Sequence, residues 1–291
     1  MKKVLVIGST VVDIIIRLNV LPTTGVDINL RWQKMSLGGC AFNVSQAIAY
    51  FDVPYVLFSP IGTGIYADYV AKELAKINVP RAELNPDEPN GCCYCLVEDD
   101  GERSFICEHG AEYRYKKEWF DELNPDDFDC AYICGLEMEE ETGDVVIDFL
   151  RKTGIPVYFA PGPRINEIDR HKMNRIFALN PILHVNKTEA LSFTGTNTLR
   201  EAGEELMKLT NNTVVITDGE KGSCCLSYKD RIWYEVPGFK AEVVDTIGAG
   251  DSHIGTFIAQ RQLGKDIAES LTEANRIASL IVQSEGARLN K

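Results

Sequence analysis

Val243–Ala259 reads VVDTIGAGDSHIGTFIA. Two valines lead into Asp245-Thr246, a Gly248-Ala249-Gly250-Asp251 turn follows, and Ile254, Phe257 and Ile258 then fall on one face of a predicted helix. Glycines one residue apart at a loop-to-helix junction let the backbone turn tightly and approach a ligand closely. The first N–H groups of a helix lack internal acceptors and carry partial positive charge, so this junction can hold an anion or a developing oxyanion. Asp251 stands at the same junction, where a carboxylate could accept a proton. A glycine-rich turn capped by an aspartate is the simpler explanation of the same residues. The segment is neither a Gly-Lys-Ser/Thr phosphate loop nor a dinucleotide GxGxxG.

Upstream, short apolar runs alternate with helical periodicity. Predicted strands are Lys3–Gly8, Tyr55–Ser59, Cys130–Gly135, Pro156–Ala160, Ile182–Asn186 and Val214–Asp218, several of them apolar throughout, as in parallel strands covered on both faces. Ala41–Phe51 repeats apolar residues at Val44, Ala47, Ile48 and Phe51, and Ile65–Ile77 and Gly143–Leu150 behave similarly. Such alternation predicts an α/β fold of three layers with a mostly parallel central sheet. Cys224–Tyr228 and Ile232–Val236 read as an antiparallel pair near the end. Two regions break the pattern. Val11–Trp32 is strand-like with turns, and Gly91–Cys107 reads as a hairpin turning at Asp100-Gly101. They are expected to form a small β-lid, from about residues 12–36 and 90–110, on a single domain covering 1–291; edge strands of one sheet are the alternative.

The 291 residues carry a formal charge of −13, which argues against a nucleic-acid partner, because such binding rests on clustered Lys and Arg. Backbone N–H groups can still hold a phosphate. No apolar stretch approaches the roughly 20 residues of a membrane span, and the opening MKKVLVIGST reads as a first strand. A cytoplasmic protein with no membrane partner is expected. The nine cysteines are scattered. Neighbouring strand residues face opposite ways, so neither Cys92-Cys93-Tyr94-Cys95 nor Cys224-Cys225 is expected to form a chelating fork, and most read as small buried hydrophobes in a reducing compartment.

Several polar residues stand out. Asp13 interrupts the apolar run Val11–Ile16, and a carboxylate there needs donors, whether substrate hydroxyls or nearby backbone N–H groups. Gly38 and Gly39 precede a helix and would allow close approach to a ligand. Asn43 can donate and accept, as a hydroxyl partner must, or can simply be a solvated helix residue. Asn186 and Glu189 have capping-box spacing, and Thr217–Gly222 alone would be a hairpin turn.

DTIGAGDSHIG resembles the C-terminal signature of the ribokinase-like (PfkB) carbohydrate kinases. Gly38-Gly39-Cys40-Ala41-Phe42-Asn43 resembles the family's Gly-Gly-x-x-x-Asn, Asn186-Lys187-Thr188-Glu189 its Asn-x-x-Glu, and Thr217-Asp218-Gly219-Glu220-Lys221-Gly222 its nucleotide loop. The four motifs occur in the family's order over essentially the whole chain, and GGCAFN, APGPR and DTIGAGDSH are closest to an uncharacterised bacterial sugar-kinase branch. The resemblance implies a ribokinase-like fold and ATP-dependent phosphorylation of a primary hydroxyl on a small sugar. It makes Asp251 the catalytic base, with Gly248, Ala249 and Gly250 as the anion hole. It places Asp13, Gly38, Gly39, Asn43 and Glu137 at the substrate. Asn186, Thr217, Gly219, Gly222 and Asn275 belong with ATP, and Glu189 supports Mg²⁺ through water. A monovalent cation such as K⁺ and a homodimer through the lid are further expectations.

The chain also departs from the family. Ala160 and Gly162, ahead of Arg164, replace the usual acidic or amide residues, and Gly64 and Ala67 stand where Asp and Gly are usual. His253, two after the proposed base, is unusual and is assigned no role beyond packing beside the site. A nucleoside kinase using Trp32, Tyr94 and Phe105 as a base shelf is the first rival reading. A non-catalytic ligand-binding regulator is the second. A dehydrogenase is disfavoured, because Gly8–Asp13 lacks the dinucleotide glycines.

Overall fold

Residues of the first strand, Lys3–Ile7, alternate between two hydrophobic cores: Val4 and Val6 enter one, Leu5 and Ile7 the other. That two-faced burial explains its unbroken apolar sequence. The computed structural model describes residues 1–79, 83–99 and 102–284. In chain order its strands are β1 (Lys3–Ile7), β2 (Val11–Arg17), β3 (Trp32–Gly38), β4 (Tyr55–Phe58), β5 (Pro60–Thr63), β6 (Glu83–Pro89), β7 (Cys92–Val97), β8 (Arg103–Glu108), β9 (Phe128–Cys134), β10 (Val157–Ala160), β11 (Ile182–Asn186), β12 (Val214–Thr217), β13 (Ser223–Leu226) and β14 (Trp233–Val236). The α-helices are α1 (Cys40–Tyr50), α2 (Gly64–Lys76), α3 (Lys117–Phe120), α4 (Gly135–Glu139), α5 (Gly143–Thr153), α6 (Arg170–Phe177), α7 (Lys187–Thr194), α8 (Leu199–Thr210), α9 (Ala249–Gln262) and α10 (Ile267–Ile281).

Eight strands form the central sheet in the order β14-β13-β12-β11-β10-β9-β1-β4. The six from β12 to β4 run parallel, and β13 and β14 add an antiparallel edge. Helices α5, α6, α7 and α8 pack on one face, and α1, α2, α9 and α10 on the other. This is the three-layer α/β architecture that the apolar periodicity predicts. Strand β9 starts two residues earlier than expected because Phe128 turns inward while Asp129 stays exposed. The chain moves from β1 to β4 on one side and later to β9 on the other. In open α/β sheets ligands bind outside the carboxyl ends of the strands, where strand order reverses.

The two segments set apart in the sequence do not extend this sheet. They form a separate four-stranded one, ordered β3-β2-β7-β8. Strands β2 and β7 pair in parallel, with Asp13 opposite Cys93, and the β7–β8 hairpin sets Cys93 opposite Cys107. The predicted Asp100-Gly101 turn lies outside the described residues. A short β5–β6 pair completes the strands. No helix among the described residues is long and apolar enough to cross a membrane.

Candidate active site

Helix α9 is preceded by its N-cap Gly248, whose φ of 73° is left-handed and suits glycine. The Ala249 N–H bonds back to the Thr246 carbonyl at 3.3 Å. Those of Gly250 and Asp251, in the first turn, have no intrahelical acceptor. The helix is buried almost all round between α1 and α10. Gly255 makes this possible: a Cβ there would sit 2.7 Å from the Val44 carbonyl on α1. The close approach brings the Asn43 amide to the Asp251 carboxylate, at 2.9 Å. Burial pushes the Asp251 carboxyl up to about 6; the Asn43 amide and the Cys40 thiol pull it down, and the Glu137 charge adds to the rise.

Asp13 lies on β2, and its carboxylate needs the missing side chain of Gly38, since a Cβ there would be 1.9 Å from Oδ2. Gly39, with φ 95°, passes close to the Ser9 carbonyl and starts α1. Burial, reinforced by the charges of Asp251 and Asp245, raises the Asp13 carboxyl to about 7. Asp245 is buried, pairs with Arg103 from β8 and accepts the Ile247 N–H at 2.7 Å. The four-stranded sheet is thereby tied to the loop before α9. Glu137, just past β9, is fully buried; its oxygens take the Ser9 N–H at 2.6 Å and the Cys134 thiol. Its carboxylate is thus already occupied by the protein.

On the other side of the α9 N-terminus lies a cleft of about 830 Å³, lined by Thr217, Gly219, Gly222, Ala249, Gly250 and Asn275 among others. Asn186 is not among its lining residues. With Glu189 it forms the full capping box of α7: the Glu189 carboxylate accepts from the Asn186 N–H at 2.9 Å and from Nδ2 at 2.6 Å. The Asn275 amide donates to the carbonyls of Val236 and Pro237 and accepts from His253 at 3.1 Å. His253 in turn meets His184 of β11 at 2.9 Å. Burial pushes His253 down to about 4, and His184 falls well below the ordinary range through burial and the His253 charge. Both rings are held neutral. If each carries its proton on Nε2, the chain of donors runs from His184 through His253 to Asn275.

The cysteine expectation needs correcting. Cys93 and Cys95 are two apart, so they share a face, and the sheet register adds Asp13 and Cys107 beside them. The Cys93 sulfur lies 3.8 Å from that of Cys95 and 3.3 Å from that of Cys107. Arg164 lies 3.3 Å from the Glu139 carboxylate. Of the residues that sequence reasoning passed over, Asp245 carried a signal, as a carboxylate directly ahead of the glycine turn. Arg103 and His184 carried none, because their partners lie 142 and 69 positions away.

A model of the pfkB family carbohydrate kinases matches residues 1–291. An uncharacterised sugar kinase of Escherichia coli (strain K12), YegV, is 30% identical over 298 residues, covering 98% of this chain and 90% of the relative. The deoxyribokinase of Salmonella typhi is 28% identical over 291 residues, covering 97% and 93%. A structure assigned to ribokinase II of Escherichia coli, in complex with ATP and Mg²⁺, has a TM-score of 0.83 at 22% identity and covers 99% of this chain and 94% of that one. With the family model spanning its length and a carboxylate poised at the glycine-rich start of α9, the chain belongs to the pfkB family of carbohydrate kinases.

Proposed function

We propose that the protein transfers the γ-phosphoryl group of ATP to a primary hydroxyl of a small sugar-like substrate, with Asp251 as the base. One observation carries this reading. The Asp251 carboxylate sits at a helix N-terminus whose first residues line a nucleotide-sized cleft, and on its other side it meets Asn43. A hydroxyl held near Asp13 and Gly38 would then lie between a proton acceptor and an anion hole. Asp251 takes the hydroxyl proton as that oxygen bonds to the γ-phosphorus. The bond from that phosphorus to the bridging oxygen breaks, and ADP leaves. The N–H groups of Gly250 and Asp251 meet the charge on the transferring group. Thr217, Gly219 and Gly222 shape the nucleotide side, and the His253-bonded Asn275 holds the cleft wall.

Glu189 and Asn186 offer hard oxygen donors at the end of β11. With Glu189 already bonded to Asn186, they fit Mg²⁺ through water rather than directly. When bound, Mg²⁺ neutralises phosphate charge. Asn43 and Glu137 act as positioning residues, the first on the base and the second on the strand ends. The four-stranded sheet, pinned by Arg103 and Asp245, serves as a lid that excludes water. Of the three aromatics a base shelf would use, Tyr94 stands on the sheet face opposite Asp13, with its hydroxyl 3.2 Å from that of Tyr66, whereas Trp32 and Phe105, opposite Arg17 and Cys95 in the ladders, share the Asp13 face.

A thermal-shift screen of sugars and nucleosides, with a non-hydrolysable ATP analogue and Mg²⁺ present, tests this reading. A sugar should raise Tm; stabilisation by nucleosides alone would replace it with the nucleoside reading. Asn43→Ala should move the acid limb of the kcat/KM profile to higher pH, because the amide that lowers the Asp251 pKa is lost. An unmoved limb would remove Asn43 from the control of the base.

A further inference from the structure

We infer that the inner face of the four-stranded sheet is a binding site for a thiophilic divalent cation such as Zn²⁺, held by Cys93, Cys95 and Asp13 with Cys107 at its edge. Asp13, Cys93 and Cys95 each offer a ligand atom, and these atoms all lie within 4.8 Å of one another. Zn–S bonds of about 2.3 Å at a tetrahedral angle place two sulfurs about 3.8 Å apart. The Cys93 and Cys95 sulfurs are 3.8 Å apart. Cys107 approaches Cys93 at 3.3 Å from the neighbouring strand. A carboxylate oxygen and thiolates together are a donor set that zinc takes.

Core packing accounts for Cys95, buried beside Ile15 and Val97, but not for the placing of Cys93 and Cys107. Cys92, Cys130 and Cys225 are buried within the large apolar core. Cys93 is only partly buried and Cys107 is exposed, yet their sulfurs face one another. The surroundings favour a cation. Ile15, Val97 and Ile247 flank the sulfurs with apolar surface, and Asp251 adds negative charge near Asp13, while the Asp245 charge is met by Arg103. The Cys95 sulfur and burial raise the Cys93 thiol, against a smaller lowering by Cys107, so binding must release thiol protons to the solvent. No electron is transferred.

The cation site stands on these donors alone. Its consequence for activity rests on the proposed role of Asp13: a cation on that carboxylate removes an acceptor for the sugar hydroxyl. Zn²⁺ should therefore raise the sugar KM and leave nucleotide affinity unchanged.

The test is calorimetric titration of the reduced full-length protein with Zn²⁺ alone. One equivalent should bind, and Cys93→Ser or Cys95→Ser should weaken binding by about 100-fold or more, beyond the usual loss from an outer-shell partner. Absence of stoichiometric binding, or binding unchanged in both variants, overturns the site. Should a variant misfold, Co²⁺ added to the wild-type protein decides instead: thiolate ligation gives sulfur-to-cobalt charge-transfer absorption, and its absence overturns the site. Cysteine-dependent binding that leaves the sugar KM unchanged overturns the inclusion of Asp13. Asp13→Ala assayed without Zn²⁺ then reports separately on the sugar role.

Discussion

Asp251→Asn lowers kcat by roughly 10²–10⁴, the usual contribution of a positioned general base. The amide keeps the carboxylate's shape and can still accept from Asn43, and α9 has Gly248 as its N-cap with no side-chain cap to lose, so the fold and most binding remain. Single-turnover phosphoryl transfer at saturating ATP and Mg²⁺ reads the effect; a well-folded variant within a few-fold of the wild-type rate removes Asp251 as the base. The same variant has a stability signature. Asp251 is raised from 3.8 to about 6 in the folded protein, so its stabilising protonation is fully present below 3.8 and is lost as pH rises through about 6. Asn carries no such loss. The Tm advantage of the variant should therefore grow between about pH 4 and pH 8. In the wild-type protein, kcat/KM should fall as pH drops through about 6, where the base becomes protonated.

Asp13→Ala raises the sugar KM by roughly 10- to 150-fold, the equivalent of about 1.5–3 kcal/mol for a charge-assisted hydrogen bond. Nucleotide affinity by calorimetry should barely move, because the cleft beyond the α9 N-terminus does not include Asp13 among its lining residues. The substitution also removes a buried carboxylate held up at about 7, so it should not destabilise the fold. Collapse of ATP binding with a normal sugar KM would reverse the assignment of the two sides of the site.

The central strands were legible because parallel strands buried on both faces leave unbroken apolar runs, as in Val4–Ile7 and Val214–Ile216. Strand β6 was not: Glu83–Pro89 contains two prolines and three acidic residues, and only its place beside β5 makes it a strand. The glycine turn at Gly248 and the helix after it could be read locally, since both depend on neighbouring residues. The Asn43–Asp251 contact could not, because it bridges 208 positions and depends on how closely Gly255 lets α9 meet α1. Within the thiol cluster the Cys93–Cys95 pair was legible from alternation, and only its other members escaped for a related reason. Alternation along one strand separates Cys92 from Cys93, but the register of two further strands gathers Cys93, Cys107 and Asp13 on one face. His253 looked anomalous, and its explanation lies on β11 and α10, in His184 and Asn275.

The most direct test of the proposed activity is phosphorus NMR of the protein incubated with ATP, Mg²⁺ and a sugar that stabilises it. The account predicts a new phosphomonoester resonance, split into a triplet by the two protons of a hydroxymethyl carbon, growing as ADP forms and growing roughly 10²–10⁴-fold more slowly with Asp251→Asn. Inorganic phosphate as the sole product, or a doublet from a secondary carbon, would contradict it.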